Sequence, residues 1–178
     1  MNKRIRSRRA FSLVEILFAV IIIGVLTAVA IPSLFSQKGK ADDSNAKQTL
    51  RTVQQLARTS QDDTGEFNWG SEADMATYLS KQEKDICFVL PSGTATKTGT
   101  CIGGATFSKN SRRVSVDSSA TLFQISTFGA DNNGTYTCWA MKIDSTGSTA
   151  TQYFRFTNAN CNTNNITGTA ALGDFPTK

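Results

Sequence analysis

Arg8-Arg9-Ala10-Phe11-Ser12-Leu13-Val14-Glu15 leads directly into residues 16–31, which read ILFAVIIIGVLTAVAI without a charge. Extending that run to 11–35 admits a single charged side chain, Glu15. A helix needs about 20 apolar residues to cross a bilayer core, so 11–35 is long enough to span one. Gly24 and Pro32 weaken helices in water, but membrane helices tolerate both. Ahead of the run, Lys3, Arg4, Arg6, Arg8 and Arg9 form a basic tip that contains no acid. A basic tip before an apolar run holds that end in the cytoplasm.

The tip also explains the overall charge. The 178 residues carry a formal +5, and outside the first ten positions basic and acidic residues balance. A generally basic domain that binds nucleic-acid backbone is therefore not indicated. Histidine is absent, which excludes a Ser-His-Asp or Cys-His pair and any His-ligated metal. With 39% hydrophobic and 19% charged residues, the chain has the composition of a globular domain rather than a disordered tail.

Three readings fit the N-terminal segment. It is a single-pass anchor; or it is a secretory signal cut after Ala28-Val29-Ala30, so that the chain starts at Ile31; or it is a segment in which Glu15 has work to do. A carboxylate inside an apolar run costs about 2.5–3.5 kcal/mol on insertion scales. Only the third reading gives Glu15 a role.

Basic leader, small residue, Phe11, Glu15 and apolar run, in that order and spacing, resemble the class III signal of type IV pilins and pseudopilins. The resemblance implies a leader at 1–10, cut by prepilin peptidase between Ala10 and Phe11. It implies N-methylation of Phe11 as the new first residue. Glu15 then stands where the family has its assembly carboxylate, and the resemblance pairs it with the Phe11 amine of a neighbouring copy. A buried carboxylate needs such a partner. Ala10 departs from the family pattern, which usually has Gly there. The implied partners are further copies in a helical filament, an assembly platform and a cytoplasmic ATPase motor. The implied location is the inner membrane before assembly and the cell surface after it. No cofactor or metal is implied, and the subunit is expected not to be an enzyme. A type II secretion pseudopilin, and a minor pilin binding DNA or a surface, are the alternatives.

Beyond Pro32 the pattern becomes amphipathic. Ala46, Leu50, Val53 and Ala57 recur at helical spacing with charges elsewhere, which predicts a helix with one buried stripe to about Ser60. The helix 11–60 would form one rod of roughly 75 Å at 1.5 Å per residue. Residues 61–178 are expected to form a β-sheet head, giving an α+β, pilin-like fold. Glu72 to Lys84 reads as a short helix with Ser71 as N-cap. Strands are expected at 86–90, 113–116, 122–128, 135–143 and 151–157, with Asp131-Asn132-Asn133-Gly134 as a strong turn. An antiparallel sheet with one face on the helix follows.

Cys87, Cys101, Cys138 and Cys161 are the cysteines. An even count outside the cytoplasm favours disulfides. Cys87–Cys101 and Cys138–Cys161 are the favoured pairing, closing loops of 13 and 22 intervening residues. A four-thiolate zinc site is the alternative, although no C-x-x-C pair is present. By the resemblance, Cys138 and Cys161 bound a surface-varying segment at 139–160.

No hydrolase, nucleotide or metalloprotease motif occurs. Asp42-Asp43 and Asp62-Asp63 read as solvated faces. Asp131, Asn132 and Asn133 offer oxygens to Ca²⁺ but suit a plain turn better. Lys109, Arg112 and Arg113 form a small basic cluster, weak for DNA. Trp69 and Trp139 read as core residues. Asn133-Gly134-Thr135 and Asn165-Ile166-Thr167 are N-glycosylation sequons.

Overall fold

The computed structural model describes residues 11–67, 71–91, 101–103, 112–146, 151–166 and 172. Helix α1 is Leu13–Thr64 and α2 is Glu72–Gln82. Strands are β1 Ile86–Val89, β2 Arg112–Ser118, β3 Leu122–Asn132, β4 Thr135–Asp144 and β5 Gln152–Asn158, followed by a 3-10 turn at Thr163–Ile166. The chain divides into two compact units, one ending at Lys38 and the other starting at Gly39.

The first unit contains the apolar part of α1, which is long and apolar enough to cross a membrane. Its large apolar side chains from Phe11 to Leu34 are exposed all round, Leu13 at 82% and Ile31 at 50%. A helix apolar on every side is one that other apolar matter surrounds. The hydroxyl of Thr27 is satisfied locally, donating to the carbonyls of Ile23 at 2.9 Å and Gly24 at 3.0 Å. That bond keeps an unmet donor out of the apolar run.

The second unit is built on one stripe of α1. Ala46, Thr49, Leu50, Val53, Ala57 and Ser60 are buried, spaced by three and four residues, as one helix face requires. α1 runs past the expected Ser60 to Thr64. It stops at Gly65, whose N–H bonds the Gln61 carbonyl at 2.7 Å. Phe67 then turns inward and stacks on Phe123 with centroids 5.7 Å apart. α2 starts at its N-cap Ser71, which accepts from the Asp74 N–H at 3.2 Å, and buries Met75, Ala76 and Leu79. These side chains join Phe88, Val114, Val116, Ile125, Met141 and Ile143 in one core.

The sheet has the order β1-β2-β3-β4-β5. β2 to β5 form an antiparallel meander. β1 departs from the expected antiparallel sheet, because it pairs parallel to β2, Ile86 opposite Arg112. The chain between them is long enough for the crossover that parallel pairing needs. Both edges are partly covered. Ile102 N–H donates to the Phe88 carbonyl at 2.8 Å, and Leu172 N–H to that of Tyr153 at 2.7 Å. Covering an edge this way limits unwanted strand pairing.

Most of the segment 139–160 is sheet, in keeping with the strands expected at 135–143 and 151–157. Residues 139–144 complete β4 and residues 152–158 make β5, with Trp139, Ala140, Met141, Ile143 and Phe154 buried. The Cys138–Cys161 bridge therefore encloses sheet rather than a free loop. It ties the C-terminal segment to the face away from α1, where Ile166 packs with Ala140 and Phe154.

Candidate assembly segment and its supporting ties

The N-terminal segment is organised by Ser12. Its carbonyl accepts from the N–H groups of Glu15 at 3.0 Å and Ile16 at 3.3 Å, opening α1. Ser12-Leu13-Val14-Glu15 has the spacing of a capping box, with Glu15 in the first turn. A carboxylate there is favoured by the unpaired N–H groups of the helix start. The S-x-x-E spacing is legible in the sequence, but what the structure places there, among the described residues, is a first-turn carboxylate without the reciprocal bonds of a capping box. The Glu15 side chain is exposed, and among the described residues no hydrogen bond engages its carboxylate. Phe11 is 77% exposed. Ala10 and the leader lie outside the described residues. α1 continues without a break through Gly24 and Pro32.

In the second unit, α1 is tied to the sheet by Asp43. Its Oδ1 accepts the indole N–H of Trp139 at 3.0 Å and the Ala130 N–H at 2.9 Å. The second bond has a structural origin. The β3–β4 register shifts between Phe128 and Asp131, which leaves a bulge in β3. A bulge frees a backbone N–H, and Asp43 takes it. Gly129 makes the approach possible. A Cβ there would meet the Asp43 carboxylate, the Thr137 carbonyl at 2.9 Å and Trp139 Cδ1 at 2.9 Å. Lys47 Nζ lies 4.5 Å from the Trp139 ring centroid, and the Arg155 guanidinium carbon 5.4 Å. Asp43 is thus part of a helix–sheet tie, not of a solvated face, whereas Asp62 and Asp63 are exposed. Further along α1, Tyr153 Oη donates to Gln54 at 3.1 Å, while Gln54 and Arg58 donate to the Thr151 hydroxyl at 3.1 and 3.0 Å.

Both disulfides are formed: Cys87–Cys101 with Cα atoms 5.1 Å apart, and Cys138–Cys161 at 5.2 Å. With no free cysteine left, a four-thiolate zinc site has no ligands. The C-terminal segment beyond β5 is held by polar bonds as well. Ser126 Oγ donates to the Cys161 carbonyl at 2.9 Å, and Asn162 Nδ2 to that of Pro91 at 2.7 Å.

Other candidate residues separate. Arg113 is 4% exposed, and burial lowers its pKa. Arg112 is half-buried, and Lys109 lies outside the described residues. The expected basic cluster therefore does not present Arg113 to a phosphate backbone. Asp131 Oδ1 accepts the Gly134 N–H at 3.0 Å, the bond of a plain turn. Among the described residues, no group of three or more acidic or cysteine side chains is placed to hold a metal. Trp69 lies outside the described residues. Burial, and a shared hydrogen bond with Asp117 on β2, raise the pKa of Glu72.

Residues 5–31 match the prokaryotic N-terminal methylation motif. This motif is the hallmark of the type IV pilin class III signal. The motif supports a type IV pilin- or pseudopilin-type protein, α1 and the sheet have the α+β, pilin-like layout, and both the signal and the helix fit a membrane-anchored chain. No curated protein and no solved structure matches the chain.

Proposed function

We propose that this chain is the structural subunit of a type IV pilus-like filament. Prepilin peptidase cuts between Ala10 and Phe11 and methylates the Phe11 amine. The subunit waits in the inner membrane through residues 11–35. A platform and a cytoplasmic ATPase then move it into a helical filament. In the filament the apolar faces of neighbouring α1 helices replace lipid around one another. Glu15 pairs with the Phe11 amine of a neighbouring copy, and the pair sets the axial register, because an unpaired buried charge disfavours misdocking.

The observation that carries this reading is the methylation motif at 5–31 running into an α1 exposed on every apolar side. Polymerisation driven by an external motor needs no active site in the subunit, and the proposal includes none. The test is the intact mass and N-terminal sequence of the chain recovered from membranes and from sheared surface material. A methylated chain starting at Phe11 in both fractions is expected. A chain starting at Ile31 would make it a cleaved secreted domain and sink the proposal. Recovery from membranes alone, at trace level in sheared material, would move it to a secretion pseudopilin or a minor subunit.

A further inference from the structure

The two N-x-T sequons stand in opposite surroundings. Asn133 and Gly134 are the two residues of the β3–β4 turn, closed by the Asn132–Thr135 pair. Asn133 has φ 55° and Gly134 φ 87°, the left-handed pair that a two-residue hairpin turn requires. Asn133, Gly134 and Thr135 are all exposed. Among the described residues, no hydrogen bond engages the Asn133 amide or the Thr135 hydroxyl. The turn itself is held by the Asp131 carboxylate on the Gly134 N–H, so it does not depend on the Asn133 side chain. Asn165 is the contrast. It is half-buried in the 3-10 turn, and its Nδ2 donates to the Asn160 carbonyl at 2.7 Å. Asn160 directly precedes Cys161, which is fully buried and bonded to Cys138.

We infer that Asn133 is an N-glycan acceptor and that Asn165 is not. The donor class is a polyprenyl-pyrophosphate-linked oligosaccharide, the sugar carrier that suits transfer outside the cytoplasm. Asn133 Nδ2 forms a bond to the sugar C1, the C1–O bond to pyrophosphate breaks, and the proton lost from the amide leaves with the transferase base. No oxidant or reductant is involved. Transfer takes place on the exported chain before the turn closes. The folded hairpin then needs only to tolerate the product, and the open turn does so. A glycan on Asn165 would have to fit where the amide is packed against the Asn160 carbonyl beside the Cys138–Cys161 bridge, so chains modified there do not reach this fold. The inference needs the second unit to lie outside the cytoplasm. It does not need the chain to polymerise.

The experiment is peptide mass spectrometry of the full chain purified from its own host. After reduction and trypsin, Asn133 falls in peptide 114–142 and Asn165 in peptide 156–178. Peptide 114–142 is expected to carry a sugar mass with sugar fragment ions, and 156–178 to be bare. The modification should vanish in Asn133→Gln and in Thr135→Ala, and persist in Thr135→Ser, which keeps the sequon. A bare 114–142 in the wild type, or sugar on Asn165, overturns the inference. So does sugar that survives Asn133→Gln, which would be linked to a Ser or Thr hydroxyl. The unreduced mass, short by the hydrogens of two disulfides, reports export separately from glycosylation.

Discussion

The Asp43 carboxylate and the Trp139 indole meet between α1 and β4 with Oδ1 3.0 Å from Nε1. The same oxygen holds the Ala130 N–H that the β3 bulge leaves unpaired. One side chain thus closes the helix–sheet joint and pins a ladder irregularity. Asp43→Ala should destabilise the second unit by about 2 kcal/mol, since it removes the acceptor of two part-buried donors, the Trp139 indole N–H and the Ala130 N–H, each at the low end of the roughly 1–3 kcal/mol for a buried unmet group. Asp43→Asn retains an acceptor and should cost less. Urea unfolding of the full chain in detergent, followed by tryptophan emission, compares the two.

Gly129→Ala should cost about 1–3 kcal/mol, the range for overpacking. The Thr137 carbonyl, 2.9 Å from the new Cβ, is backbone and cannot swing away. Part of the crowding comes from Asp43. Placing Gly129→Ala in an Asp43→Ala background should therefore cost less than in the wild type. A double-mutant cycle measures that coupling; strict additivity would show that Asp43 does not crowd the bulge.

The raised pKa of Glu72 has a definite sign. Burial and the Asp117 neighbour hold its proton in the folded state. The folded protein then binds a proton that the unfolded chain has already released. That contribution to stability is full below the ordinary value of 4.5, and it declines as pH rises through the elevated folded value. Glu72→Gln should raise the melting temperature at pH 7 and leave it nearly unchanged at pH 4. Melting curves at the two pH values decide it.

Replacing Cys138 and Cys161 together by Ser should cost roughly 3 kcal/mol in the chain-entropy picture of loops this size. The loss should fall first on the 3-10 turn, because Ile166 packs on Ala140 and Phe154 only through that tethered segment. Hydrogen exchange should speed up at residues 161–166 before it does so in β3. Uniform acceleration across the sheet would contradict this order.

Glu15→Ala should leave cleavage at Phe11 intact while assembly or methylation fails. The readouts are the N-terminal mass and filament yield in sheared material. Normal filaments from this variant would remove the assembly role of Glu15 and leave it a first-turn carboxylate of α1.

The sequence by itself determined the N-terminal segment, because membrane insertion and helix periodicity depend on local order. Charge at Arg8 and Arg9, the uncharged run to Ile31 and the stripe Ala46, Leu50, Val53, Ala57 are all read within one helix. The Ser71 N-cap and the Asn133-Gly134 turn are likewise local, since each rests on bonds within a few residues. Tertiary structure decided what depends on distant neighbours. The parallel β1–β2 pairing needs a crossover whose course no periodicity records. Asp43 reads as one of two solvated acids until the β3 bulge, 87 residues on, offers it a hydrogen bond. The strands at 135–143 and 151–157 are read from local pattern, but only the packed sheet decides that Trp139 and Met141 join the main core while Ala140 and Phe154 pack with Ile166. Local pattern fixes which face of an element is apolar. Only the packed sheet fixes which partner meets that face, and which polar groups are left for it to satisfy.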